Sequence, residues 1–288
     1  MAHKAKETGP VGSKKRARSL LTAAGHMRYL LPLLLWLIST PAVAAQPQEV
    51  TFPSGKLVLH GFIYRPEGSG PFPAVLYNHG SQRKQGSNPG LGRLFSNAGY
   101  VFFYPHRRSH GRSPSDSFVD SLYDQEGRGV VALHEVHLED QLAALRYLKG
   151  LPYVDSDRIA VAGCSYGGIQ TILSVEANAE LKLGLRAAIA FAVAMTRGRA
   201  LSDIRNRMLR AVRKATVPIF IIQAENDYEL IPSRELAAEL ERLGKLHKLS
   251  IYPPYGSTAE EGHAGFCFEG GNVWGPEVFS FLASSWQK

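Results

Sequence analysis

From Val50 onward, short apolar runs rich in β-branched and aromatic residues alternate with longer stretches whose apolar positions recur every three or four residues. That is the pattern of strands separated by helices. Lys56 to Arg65 alternates and stops at Pro66, which predicts an antiparallel edge strand. Pro73–Tyr77 and Tyr100–Tyr104 are unbroken apolar runs, expected of strands buried on both faces. Asn88–Ala98 between them reads as a helix closed by Gly99. Residues 105–129 are polar and predict a long loop. Val130–Leu148 then reads as a helix, Arg158–Ala162 as a strand and Tyr166–Val175 as a helix. The series continues with a strand at Ala187–Val193, a basic amphipathic helix at Leu201–Lys214 and a strand at Val217–Gln223. A helix at Ser233–Leu243 capped by Ser233 follows, then a strand at His247–Tyr252 and a closing helix at Pro276–Trp286. Such alternation builds an α/β domain with a mostly parallel central sheet flanked by helices, here a single domain over residues 46–288.

The first 45 residues break this pattern. Basic residues lead to Met27-Arg28, an apolar run from Tyr29 to Ile38, and Ala42-Val43-Ala44-Ala45. A positive start, an apolar stretch shorter than a membrane span and small residues at the exit read as a signal peptide, Met27–Ala45, expected to be cleaved after Ala44 or Ala45, with an uncleaved signal anchor as the alternative. Residues 1–26 read as an upstream extension. The expected destination is secreted or periplasmic, with no stable membrane association after cleavage. This segment also accounts for the charge. Of the net +8, seven basic residues lie before residue 46 against Glu7 alone, which leaves 26 basic and 24 acidic side chains in the remainder. A body so nearly neutral excludes nucleic acid as a partner.

Chemistry concentrates at three places. Gly163-Cys164-Ser165-Tyr166-Gly167 stands between an expected strand and an expected helix, the setting in which a serine is exposed on a sharp turn as a nucleophile. A serine hydroxyl needs a base and an acid to orient that base. His263, between the last strand and the last helix, is the candidate base. Asp227, past the Val217–Gln223 strand, is the candidate acid, with Glu225 as its rival. Two backbone donors should receive the oxyanion: the N–H of Tyr166, and the N–H of Ser81 in the Asn78-His79-Gly80-Ser81 loop. His79 is read as pinning that loop. His134 and His137 lack the four-residue spacing of a zinc pair and read as a solvated helix face. His106 and His110 flank arginines that either shape their loop or meet an anionic substrate. No metal or cofactor is implied. Cys164 and Cys267 either pair, in loops that must converge, or stay as two small buried hydrophobes.

These segments together resemble the dienelactone hydrolase and prolyl-oligopeptidase-like branch of the α/β-hydrolases. The resemblance rests on the Asn-His-Gly loop, the segment from Tyr104 to Ser113, the Gly-Cys-Ser-Tyr-Gly-Gly turn, Glu225-Asn226-Asp227 and Gly262-His263, and it spans Val50 to the C-terminus. It implies the α/β-hydrolase fold and a Ser165, Asp227, His263 triad. Two departures stand out: dienelactone hydrolases carry a cysteine where this chain has Ser165, and the mature chain is expected to lack the propeller of prolyl oligopeptidases. The expected activity is a secreted serine hydrolase that cleaves small-molecule carboxylic esters or lactones through an acyl-enzyme. Amide hydrolysis or acyl transfer on the same residues is the alternative, and a non-catalytic binding module is the remote one. Ser113–Gly129 and Leu201–Lys214 are expected to overhang the site and select substrate.

Overall fold

Unbroken apolar runs lose least when both faces of a strand are covered, and five strands are buried in this way. The computed structural model describes residues 46–122, 128–193 and 200–287, all within the unit Val43–Lys288. The expected signal segment Met27–Ala45 and the extension before it lie outside the described residues. The strands are β1 (Gln48–Ser54), β2 (Leu57–Tyr64), β3 (Phe72–Asn78), β4 (Val101–Pro105), β5 (Val154–Cys164), β6 (Leu185–Phe191), β7 (Ile219–Ala224) and β8 (His247–Tyr252). They form one sheet in the order β1-β2-β4-β3-β5-β6-β7-β8. β1, β2 and β4 pair antiparallel, and every later pairing is parallel. This is the α/β-hydrolase architecture.

Side chains alternate along each strand, so the two faces of the sheet feed two cores. Leu76, Val161, Ala188 and Ile221 point to one core. There they meet α3 (Arg128–Lys149), α4 (Tyr166–Leu181), α5 (Ala200–Arg213) and α6 (Ile231–Arg242). Val75, Ala162, Ile189 and Phe220 point to the other, against α1 (Pro89–Asn97), α7 (Phe266–Glu269) and α8 (Gly271–Ser285). Because β3 to β8 run parallel, their C-terminal ends form one rim, and the loops that leave it are free to carry function.

The structure departs from the sequence reading at several points. The strand at Lys56–Arg65 is antiparallel but is not the edge; β1 covers it, despite Pro53, by pairing residue for residue from Gln48 with Ile63 to Ser54 with Leu57. A proline is tolerated there because β1 has only one neighbour. The polar stretch after β4 contains a short helix, α2 (Ser117–Leu122). Helix α6 opens at Ile231 with Leu230 before it, and Ser233 is buried inside the helix instead of capping it. Helix α8 begins at Gly271, so Pro276 sits within it. Helix α5 does not overhang the rim: Ile204, Met208, Ala211 and Val212 lie in the core beside α4 and α6.

Candidate active site

The turn from β5 into α4 is tight enough to dictate its own sequence. Ser165 takes φ 58° and ψ −119°, and its N–H donates to the Phe191 carbonyl at 3.0 Å. A non-glycine residue at positive φ is strained and persists only where its surroundings over-determine it. The flanking glycines show how they do so. A Cβ on Gly163 would lie 2.4 Å from the Gly167 carbonyl oxygen, one on Gly167 would lie 1.9 Å from the Asn78 oxygen, and one on Gly168 would lie 2.8 Å from the Phe191 oxygen. The chain can turn this sharply only with glycine at these positions. Serine is thereby thrown to the rim at the first turn of α4, where unpaired helix N–H groups favour negative charge.

Asp227 and His263 meet across the loops after β7 and β8. The His263 Nδ1 lies 2.8 Å from Asp227 Oδ1, and the Asp227 carboxylate is fully buried. That carboxylate also accepts from the Tyr228 N–H and from the Gln223 side-chain amide at 2.8 Å. Glu225, the rival acid, is exposed. His263 does not occupy an irregular loop but a π-helical turn, Glu261–Gly265. Asn226 clamps this turn: its amide donates to the Tyr255 and Thr258 carbonyls, and its oxygen accepts from the Tyr255 N–H. Glu261 holds the preceding bend through the N–H groups of Ser257 and Thr258. Cys164, next to the serine, is joined in a disulfide to Cys267, four residues past the histidine, with Cα atoms 6.1 Å apart.

The loops after β3 and β4 make the opposite wall. Ser81 follows β3 as an exposed residue. His79 is fully buried; its Nδ1–H donates to the Gly80 carbonyl, and its Nε2 accepts from the Arg107 N–H. Arg107 is itself buried, donating to the His79 and Gly80 carbonyls at 2.8 Å each. Its guanidinium carbon lies 4.7 Å from the centre of the Tyr166 ring. Arg108 pairs with the buried Asp140, which also accepts from Ser54. These arginines thus shape their loops.

The chain is similar to known proteins over parts of its length. The prolyl oligopeptidase family model matches residues 92–196, the stretch that contains the serine turn. A probable dipeptidyl-aminopeptidase B of Metarhizium robertsii is 46% identical over 41 residues, which are 14% of this chain and 4% of that protein. An acylaminoacyl peptidase of Pyrococcus horikoshii superposes with a TM-score of 0.63 at 18% identity, over 83% of this chain and 42% of the peptidase. A putative dienelactone hydrolase from Klebsiella pneumoniae superposes with a TM-score of 0.60 at 14% identity, over 84% of this chain and 99% of the other. These likenesses show the α/β-hydrolase fold, and residues 92–196 resemble the prolyl oligopeptidase family. The chain spans well under half the length of the peptidases it matches.

Two histidines expected on a solvated helix face lie elsewhere. His134 and His137 are not solvated; both are buried against Tyr166. The His134 ring stacks on the Tyr166 ring at 3.9 Å between centres, and His137 Nδ1 lies 2.7 Å from the Tyr166 hydroxyl. Burial, then the nearby Arg107 charge, pushes His110 and His134 down to about 3, holds His79 and His137 well below the usual range, and lowers His106. All five are neutral imidazoles at neutral pH. Helical spacing makes His134 and His137 look like surface because it cannot see a neighbour thirty residues away. Asn226 was missed although it adjoins the acid, since nothing local marks a clamp. Of the two segments expected to overhang the rim, only the first approaches it: Val119 and Leu122 on α2 pack with Leu133, and Tyr166 joins them. Among the described residues, no group of three or more His, Cys, Asp or Glu side chains is disposed to hold a metal.

Proposed function

We propose that this hydrolase cleaves carboxylic esters of small molecules through an acyl-enzyme on Ser165. The observation that carries the reading is the buried Asp227–His263 hydrogen bond, its histidine in a segment tied by the Cys164–Cys267 disulfide to a serine held at strained backbone angles. Asp227 fixes the proton on Nδ1 and leaves Nε2 to act as base. Nε2 takes the Ser165 proton as Oγ adds to the ester carbonyl, and the N–H groups of Tyr166 and Ser81 receive the oxyanion. The alcohol leaves with that proton; water, deprotonated by the same histidine, then releases the acid. Likeness to a dienelactone hydrolase over nearly its whole length supports ester over amide cleavage. The prolyl oligopeptidase match keeps amide cleavage as the second reading. Export by the Met27–Ala45 signal belongs to the same proposal, and a disulfide beside the nucleophile suits an oxidising compartment.

The test is turnover of p-nitrophenyl acetate beside a fluorophosphonate probe. Ser165→Ala should lower kcat by about 10⁶ and abolish labelling. Asp227→Asn should cost about 10⁴ through loss of imidazole orientation. Hydrolysis undiminished in Ser165→Ala would refute the assignment. Faster turnover of aminoacyl arylamides than of matched esters would transfer the protein to the second reading.

A further inference from the structure

We infer that Arg107 is a positioning residue that sets the oxyanion site by holding both of its halves at once. The inference rests on the acyl-enzyme reading above, which places one donor N–H on Tyr166 and the other on Ser81. These donors come from different loops, after β5 and after β3, and must face one point for a tetrahedral intermediate to gain from both. Arg107 arrives from a third loop, after β4. One edge of its guanidinium donates to the His79 and Gly80 carbonyls, the two residues directly before Ser81. Its guanidinium carbon lies over the Tyr166 ring, 4.7 Å from the centre. The main chain joins in, because the Arg107 N–H donates to His79 Nε2.

The Tyr166 ring has no slack to absorb a shift. His134 stacks on the side chain and His137 meets its hydroxyl. The tyrosine that follows the nucleophile is therefore fixed by its side chain as well as by the helix it begins. A flat, forked cation can join the two loops because it donates in plane to two carbonyls and presents a face to an aromatic ring. A lysine could supply the charge but not the fork. Arg107 is only 1% exposed, so it is unavailable to substrate and acts through the loops it holds.

The step it serves is the addition of Ser165 Oγ to a carbonyl carbon, in which the proton passes to His263 and the carbonyl oxygen takes the negative charge. An alkyl trifluoromethyl ketone reproduces that adduct. In Arg107→Met, kcat for p-nitrophenyl acetate should fall roughly 100-fold, in the range seen when one oxyanion donor is lost. The ketone Ki should rise by the same factor while KM stays within about threefold. Arg107→Lys should lose roughly tenfold on both measures. Tyr166→Leu, which keeps the backbone N–H, should lose a comparable amount, and combining it with Arg107→Lys should cost less than the two losses multiplied.

Melting curves run beside the kinetics separate folding from positioning; if Arg107→Met does not fold, Arg107→Lys and Tyr166→Leu decide. A ketone Ki unchanged in those two variants would overturn the inference, as would a fall in kcat with no matching rise in Ki. Failure of the underlying reading looks different: the parent protein would resist the fluorophosphonate probe, or Ser165→Ala would keep its activity.

Discussion

Two arginine-rich segments look alike on paper and behave as opposites in the fold. The loop after β4 carries Arg107, Arg108 and Arg112 beside His106 and His110, and its first two arginines are buried. Helix α5 carries Arg205, Arg207, Arg210 and Arg213, and most of its charge is met by carboxylates of neighbouring helices: Arg205 by Glu235, Arg207 by Glu135 and Glu176, Arg213 by Glu239. In the first segment, arginine forks bind carbonyls, a ring and one buried aspartate, so they define a shape. In the second, Arg205 and Arg213 pair at the surface, and Arg207 pairs more deeply with Glu176, over a helix that buries its apolar side in the core. Charge density along the chain therefore says little by itself; where each charge ends is what separates a structured rim from a solvated flank.

The sharpest way to break the comparison is acid. His79, His106, His110, His134 and His137 all pack around the first segment, and all are held below the ordinary imidazole value, chiefly by burial. Above about pH 6.5 they are neutral in both folded and unfolded chains and change nothing. Below it the unfolded chain binds protons that the folded chain refuses, so stability is lost as pH falls from about 6.5 toward the folded values, about 3 for His110 and His134. Each histidine shifts the folded-to-unfolded ratio roughly tenfold per pH unit in that window. Melting temperature should drop steeply between about pH 6.5 and about pH 4.5; a flat profile would show that these rings are not held neutral.

Next in size is the buried carboxylate beneath the same loop. Asp140→Asn strips Arg108 of its closest ion-pair partner and should cost about 3 kcal/mol, as when one member of a buried pair is removed. A loss under about 1 kcal/mol in urea titration would put Arg108 in the same class as the exposed Arg205 and Arg213 of α5. The smallest effect belongs to that helix. Arg205→Ala breaks a half-exposed pair and should cost at most about 1 kcal/mol, a difference that fades in high salt. A larger, salt-resistant loss would erase the contrast between the segments.

Much of the candidate site's geometry was legible because its constraints are local. Gly163, Gly167 and Gly168 must be glycine for reasons set by the turn itself and the strands beside it, and such signals survive in a single sequence. The parallel sheet was legible too, since strands covered on both faces need unbroken apolar runs. What stayed hidden depends on distant partners. β1 contains Pro53 and alternates weakly, so only its pairing with β2 makes it a strand. His134 and His137 sit at intervals that suit a wet helix face, and only neighbours far along the chain, Tyr166, Gln170 and His110 among them, make that face dry. Helix α5 reads as a basic flap until the carboxylates of α3, α4 and α6 are brought beside it.

The Cys164–Cys267 bond bears on how the molecule would survive among proteases. A nick in any loop between Ser165 and His263 yields two pieces, one with the nucleophile and one with the base, that stay tethered through sulfur. Such a molecule migrates as one band until it is reduced, and its halves cannot diffuse apart while the fold holds them in register.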